Sequence, residues 1–497
     1  MKARTSDLVA LLLALLALGL TAWISWHVFE RMPHLEDEFA NLWQAEVMAR
    51  GELVQPSPPF AKSFLVPFVV DYEGQRFGKY PPGWPAALSL AVRAGAPWLA
   101  NSSLAALSVW LTYRLGTRLA GQGAGLLAAF LLLLSPMFLM LSSGLMSHGL
   151  SLTLALVFTL SWWDLFGVDN GVRRIPRGLL ITVAGTSLGL LALTRPLTAA
   201  GVFLPFLIHA ALRGWRGPAG ARKTLLAVGL LALAIVALLP LWQWALTGDP
   251  LLNPYRLWWP YDRLGFGPGV GVTEGGHDLE YAWINTRFSL RAGQHDLFGW
   301  PYLSWIFIPV GLWSARRKHG TWILFGIAAG LVLVYSAYWI GSWLFGPRYY
   351  YEALPGLAVL SAAGISSLAG WGRAAGWGLR WRRPLLASLV LLLVTLNAAF
   401  YLPARLGGMR GLYGITCAPM EALQRHHLDR ALVIVHARHW WEYARLLLLA
   451  EPFGEEPLRI AWSRGHQIDS QLKEAHPGWE VYHLYPDKPT RLYIEPR

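Results

Sequence analysis

The chain has 497 residues, of which 55% are hydrophobic and 14% charged, and its mean hydropathy of +0.38 excludes a soluble domain of ordinary composition. The formal net charge is +13, but Lys and Arg fall in short clusters between apolar runs, as loops beside a membrane do, so no nucleic-acid partner is expected. The single cysteine, Cys417, excludes an internal disulfide and a cysteine-rich zinc site.

Lys2 and Arg4 precede an apolar run from 8 to 29. It is longer than the roughly 7–15 residues of a signal-peptide core, and no small-residue cleavage site follows, so a retained first transmembrane helix is expected. The Lys/Arg bias of short loops then orients the chain and places 30–84 on the extracytoplasmic side. The apolar segment 84–98 is short and contains Arg93, so it is expected to lie in the outer interface; the alternative, a true span, would invert the orientation of everything after it. Further spans are expected at 101–115, 121–141, 149–166, 178–193, 197–212, 224–246, 299–315, 321–340, 354–370 and 384–401. That makes about eleven spans by the ~20-residue criterion. The basic groups Arg114 and Arg118, Arg173, Arg174 and Arg177, Arg213, Arg216, Arg222 and Lys223, Arg316-Arg317-Lys318, and the loop 373–383 then share the cytoplasmic side. A second outer loop, 247–298, is rich in Pro, Gly and aromatic residues and is expected to be folded and irregular. From about Ala404 the charges spread evenly. Runs at 432–435, 458–462 and 481–484 read as strands. The expected fold is therefore a polytopic helical membrane domain, 1–403, followed by a small extracytoplasmic α/β domain, 404–497.

Two pieces of the first loop invite chemistry. Phe39, Leu42, Trp43 and Val47 follow i, i+3, i+4, i+8 spacing and Gly51 stands where a helix ends, so Asp37 to Arg50 reads as an amphipathic helix capped by Glu36 or Asp37. An acidic cap alone explains those carboxylates as well as a catalytic role does. At the far end, Gly78-Lys79-Tyr80-Pro81-Pro82-Gly83-Trp84 pins a lysine just before a helix start. That lysine is either a phosphate clamp or a cation reaching to the interface. In the terminal segment, His426-His427 and His436-Ala437-Arg438-His439 read as a solvated face, since no ligand spacing completes a zinc pattern.

The Asp-Glu pair after the first helix, the helix ending in Met48-Ala49-Arg50-Gly51 and the Gly78–Trp84 motif together resemble the first extracytoplasmic loop of GT-C glycosyltransferases. The likeness is to the protein O-mannosyltransferase and lipid A aminoarabinose transferase branch. Leu193-Thr194-Arg195-Pro196 and Arg348-Tyr349 are similar to that branch too, and the resemblance covers roughly 8–400. It implies a GT-C fold in a bacterial plasma membrane and inverting transfer of a sugar from a polyprenyl-phosphate donor to a lipid, glycan or protein hydroxyl. By the same resemblance Asp37 is the general base and Glu38 its supporting carboxylate. Lys79 and Arg348 are then the groups expected at the donor phosphate, with Arg195 either there or at a lipid headgroup and Tyr349 either beside the phosphate in the pocket or in the interfacial aromatic belt. Many relatives have an Asp where this chain has His148, which is expected either as a second acid/base or phosphate contact or as a buried interfacial histidine. Some GT-C enzymes use Mg²⁺ or Mn²⁺, and Asp37, His277 and Asp278 are the candidate ligands, with Glu38, His295 and Asp296 as further donors, although their spacing matches no dedicated metal motif. The competing classes are a transporter or lipid flippase, which would want charges within its spans, and a non-catalytic membrane scaffold.

Overall fold

The computed structural model describes residues 3–168, 175–216, 219–371, 377–415, 418–426, 428 and 430–497; Arg173, Arg174, Arg373, Cys417 and His427 lie outside the described residues. Helix α1 (Ala3–His27) buries Ala10, Ala14, Ala17 and Ile24 and turns Leu8, Leu12, Leu15 and Leu16 outward. Small residues let a neighbouring helix come close, and outward leucines suit a lipid-facing surface. Next come α2 (Glu36–Ala49), strands β1 (Gln55–Pro56), β2 (Val69–Tyr72) and β3 (Gln75–Gly78), and α3 (Gly83–Arg93). The helical core continues with α4 (Ala100–Ala120), α5 (Gln122–Leu133), α6 (Pro136–Ser143), α7 (His148–Phe166), α8 (Arg177–Thr194), α9 (Pro196–Arg216), α10 (Ala219–Val236) and α11 (Leu238–Thr247). Short α12 (Tyr255–Trp258) and long α13 (Leu279–Asp296) lie in the second long loop, followed by α14 (Ile308–Ser314), α15 (His319–Tyr335), α16 (Leu354–Ala369) and α17 (Trp377–Leu396).

Among the described residues seven helices are long and apolar enough to cross a membrane, and eight if α5 and α6 form one span. The chain is an integral, multi-pass membrane protein. The α5/α6 pair bends by 60° where Pro136 brings no N–H and the Ser135 hydroxyl accepts from the N–H of Phe138 instead. Of the eleven expected spans, the other three are present as α4, which carries Asn101, Ser102, Thr112, Arg114 and Arg118, the seven-residue α14 and the 17-residue α15. The segment expected at the interface is α3, whose 11 residues are too few to cross.

The first long loop holds the expected helix, with two changes. Helix α2 ends before Gly51, whose φ of +85° closes the helix, but its N-cap is Leu35 and the three carboxylates occupy the first turn. The reason is Glu38, which reaches back to accept the N–H groups of His34 and Leu35. The loop also contains a three-stranded antiparallel sheet, ordered β1-β3-β2, that the sequence analysis does not anticipate. Its hairpin turns on Glu73-Gly74, both at positive φ, so that Tyr72 pairs with Gln75.

The terminal segment has β4 (Ala431–Val435), β5 (Leu458–Trp462), β6 (Glu480–Leu484) and β7 (Leu492–Tyr493) in the order β5-β4-β6-β7, the first three parallel. The three expected strands are all there. Their apolar face does not close on itself. Val433, Val435, Leu446 and Leu484 share one core with Phe39, Trp43 and Val47 of α2.

Candidate functional site

Asp37 sits in the first turn of α2, where a helix start favours negative charge. Its Oδ1 accepts from the Tyr80 hydroxyl, and its Oδ2 lies 3.9 Å from Nη1 of Arg348. The side chains keep 23% and 19% of their exposure, so this pair is reachable. Glu38, one residue on, is buried. It accepts the N–H groups of His34 at 2.8 Å, Leu35 at 3.3 Å and Leu145 at 2.6 Å, and burial pushes its carboxyl up to about 7 against those three donors. Glu38 thus ties the start of α2 to the break between α6 and α7.

Lys79 follows β3 and is 3% exposed. Its ammonium lies 3.4 Å from the ring centre of Phe68, 4.7 Å from Trp259, 5.0 Å from Tyr255 and 5.5 Å from Tyr80. Asp262 Oδ2 stands 3.6 Å away, and burial lowers the ammonium to about 8 despite the opposing pull of Asp262 and Asp37. The other oxygen of Asp262 accepts from the Tyr338 hydroxyl and the Trp339 indole N–H, each at 3.0 Å.

Arg195 occupies the tip between α8 and α9. It donates to Thr198 at 3.0 Å, to Tyr335 at 3.0 Å and to Nε2 of His148 at 2.7 Å. A guanidinium only donates, so that imidazole nitrogen must present its lone pair. A carboxylate stands here too, but it is Glu352: it accepts from the Ser151 hydroxyl, lies 3.9 Å from Arg195, and has a buried Oε2 with no hydrogen-bond partner among the described residues. Tyr349 stacks on Tyr335 at 4.6 Å, beside Arg348. The candidates therefore fall into three groups: Asp37 with Arg348, Lys79 in its aromatic box, and Arg195 with His148.

The expected metal ligands do not converge. The His277 imidazole pairs with the Ser336 carbonyl at 2.9 Å and stacks on Phe266, Asp278 caps α13 through the N–H of Tyr281, and Asp37 is taken by Tyr80 and Arg348. Asp296 is held by Arg405 and Tyr401. Among the described residues no three His, Cys, Asp or Glu groups gather as a metal site, so this arrangement does not fit a bound divalent cation.

Beside these groups runs an apolar cavity of about 590 Å³, lined by Pro82, Gly83, Leu150, Leu193, Thr194 and Trp242 among others. It does not include Asp37 or Arg348. It approaches the polar groups at Gly83, within the Lys79 motif, and at Thr194, next to Arg195.

Tyr80, Asp262, Tyr335 and Glu352 are the site residues that the sequence analysis leaves out. Tyr80 lies inside a motif it singles out, and Glu352 stands three residues beyond another, Arg348-Tyr349. Asp262 follows the run Trp258-Trp259-Pro260-Tyr261, whose aromatic density was the available signal.

The fold and site define a multi-pass membrane protein whose polar groups gather at the loop end of a helical bundle, beside an apolar cavity. That architecture is the GT-C fold. The chain is similar to ArnT from Cupriavidus metallidurans bound to undecaprenyl phosphate, at TM-score 0.57 and 15% identity, covering 95% of this chain and 92% of that one. It is also similar to the oligosaccharyltransferase of Archaeoglobus fulgidus tethered with an acceptor peptide, at TM-score 0.53 and 16% identity over 92% of this chain. The same archaeal enzyme, AglB, in complex with an inhibitory peptide and a dolichol-phosphate, superposes at TM-score 0.50 and 16% identity over 90% of this chain. The chain spans 64% of the archaeal enzyme's length. No protein-family model matches the sequence, and no curated protein matches it.

Proposed function

We propose that this protein is an inverting glycosyltransferase, moving a sugar from a polyprenyl-phosphate carrier to a hydroxyl of a lipid, glycan or protein at the outer face of a bacterial plasma membrane. The observation that carries the reading is the reachable pair of Asp37 and Arg348, 3.9 Å apart although they come from opposite ends of the membrane region, with Tyr80 fixing the free side of the carboxylate. The structural neighbours bound to undecaprenyl phosphate and dolichol-phosphate support the donor class.

In this reading Asp37 accepts the proton of the acceptor hydroxyl as its oxygen attacks the anomeric carbon. The bond from that carbon to the phosphate oxygen breaks as the new one forms, and its electron pair leaves with the lipid phosphate. Arg348 neutralises the charge growing on that oxygen, with Arg195 as the second cation in reach of the cavity mouth. The apolar cavity takes the first prenyl units.

The test is turnover of a synthetic polyprenyl-phosphate sugar by purified protein in nanodiscs, read as release of polyprenyl phosphate. Asp37→Asn should lower it about 10²–10⁴-fold while the protein still binds the donor. Turnover of that variant within tenfold of the parent overturns the base assignment.

A further inference from the structure

The Arg195 guanidinium is held on three sides. Its Nε–H goes to the Thr198 hydroxyl of α9 at 3.0 Å, one N–H of Nη2 to the Tyr335 hydroxyl of α15 at 3.0 Å, and one N–H of Nη1 to Nε2 of His148, the first residue of α7, at 2.7 Å. Nδ1 of that ring is 3.1 Å from the same Nη1, but a neutral imidazole has one lone pair and takes one N–H. A guanidinium has five N–H groups, so one remains on each terminal nitrogen without a protein partner among the described residues. Two such groups side by side are the fork with which arginine takes two oxygens of a phosphate. The charge of Arg195 is balanced from a fourth element, the 3₁₀ segment Arg348–Ala353. Its Glu352 side chain is fully buried, with Oε1 3.9 Å from Nε of Arg195, and Ser151, one turn along α7 from His148, donates to that oxygen. The segment opens on Arg348, the partner of Asp37, so one short stretch carries one cation of the site and the counter-ion of the other.

We propose that His148 and Glu352 are positioning residues for donor binding: the imidazole lone pair and the buried carboxylate hold Arg195 so that its two remaining N–H groups form a fork for the phosphate of the polyprenyl-phosphate donor, beside the cavity mouth at Thr194. The ligand of the fork rests on the glycosyl-transfer reading; the holding of Arg195 by His148 does not. An acid/base role for His148 makes a different demand, since it needs a ring nitrogen that gains and loses a proton during turnover. His148→Gln separates the two roles, because an amide oxygen can accept the Arg195 N–H and cannot titrate. His148→Asp would carry an oxygen to about where Nδ1 lies, and so could stand in for the charge of Glu352.

The experiment uses the full-length protein in nanodiscs. With no donor present, ¹⁵N-histidine spectra read the holding contact, His148 being assigned by its loss in His148→Gln. His148 should show one nitrogen without a proton, and that signal should move in Arg195→Met. Undecaprenyl phosphate affinity and the split between kcat and KM read the consequence. His148→Gln should bind undecaprenyl phosphate within about threefold of the parent, with the pH profile of kcat/KM unchanged in shape. His148→Leu, which offers no acceptor, should bind it about tenfold more weakly, with donor KM raised by a similar factor and kcat lowered less. Glu352→Gln keeps a partner for Ser151 and removes the charge. It too should bind about tenfold more weakly, and adding His148→Asp to it should return the affinity to within about threefold of the parent. Loss of a limb of the pH profile in His148→Gln makes His148 an acid or base and overturns the proposal. So does unchanged affinity in Glu352→Gln, or a weakened Glu352→Gln that His148→Asp does not improve. If the parent neither binds undecaprenyl phosphate nor turns over donor, the glycosyl-transfer reading fails, and the ¹⁵N spectra still decide the contact: a His148 signal unmoved in Arg195→Met shows that His148 does not hold Arg195.

Discussion

Three carboxylates in a row, Glu36, Asp37 and Glu38, acquire different roles because a helix turns each by about 100° from the last. Of the three, Asp37 combines a hydroxyl donor and a cation with a side chain that is still 23% exposed. Removing the hydroxyl is the mildest probe of that arrangement: Tyr80→Phe should lower turnover about ten- to hundredfold, the range a hydrogen bond to a charged group of about 1.5–3 kcal/mol implies. The melting temperature should barely move, because the ring keeps its edge contacts with Phe68 and Tyr255. Glu38 gives a prediction in pH. Burial raises its carboxyl to about 7 from the ordinary 4.5, so the folded chain holds a proton there that an exposed glutamate has already lost. A raised acid contributes stability that is fully present below pH 4.5 and is lost as pH rises through 7. The melting temperature of the purified protein should therefore fall between pH 5 and pH 8, and Glu38→Gln should flatten that slope even though its amide cannot accept all three backbone N–H groups. An equal slope in the variant would remove Glu38 as its source.

At the scale of elements, the site depends on how closely three pieces of backbone approach one another. A Cβ on Gly83 would lie 2.6 Å from the Thr194 hydroxyl and 2.8 Å from the Leu193 carbonyl, so only glycine lets the start of α3 meet the tip between α8 and α9. Gly83→Ala must push that tip away, and with it Arg195. We expect at least about tenfold lower turnover, with donor affinity weakened as well, because a displacement of an ångström is enough to misalign a reacting group. Gly229→Ala, where a Cβ meets nothing within 4 Å, should leave turnover unchanged in the same assay. These approaches mark the boundary of what the sequence makes legible. Helix α2 shows in the spacing of Phe39, Trp43 and Val47, and β4 to β6 show as short apolar runs, because both are local periodicities. The pairing of Lys79 with Asp262 and of Arg195 with Glu352 joins residues far apart in the chain through irregular loops, where no period exists to read. The candidate metal ligands are scattered for the same reason: Asp37, His277 and Asp278 face different neighbours.

For the whole molecule, the sheet at the end of the chain is part of the scaffold that shapes the first loop. Beyond the shared core of α2 and β4, Trp462 donates its N–H to Ser63 at 2.7 Å, Arg464 donates to the Lys62 carbonyl at 2.6 Å, and Arg50 pairs with Glu455 at 2.8 Å. The exposed Arg50 pair contributes little by itself. The apolar contacts decide, because without the sheet Phe39, Trp43 and Val66 would lose their covering. A chain ending at residue 415 should therefore still insert in the membrane, since α1 to α17 keep their own core, but its first loop should be cut by protease within 57–65, where the full chain resists. Turnover should fall with it, as Asp37 is carried by the helix that loses its cover. A softer variant separates lost cover from a lost terminus: Val433→Asp puts a charge into the shared core and should expose the same stretch to protease while β5 to β7 remain in the chain. If the shortened chain keeps both protease resistance and turnover, the sheet is an appendage and the first loop folds on the bundle alone.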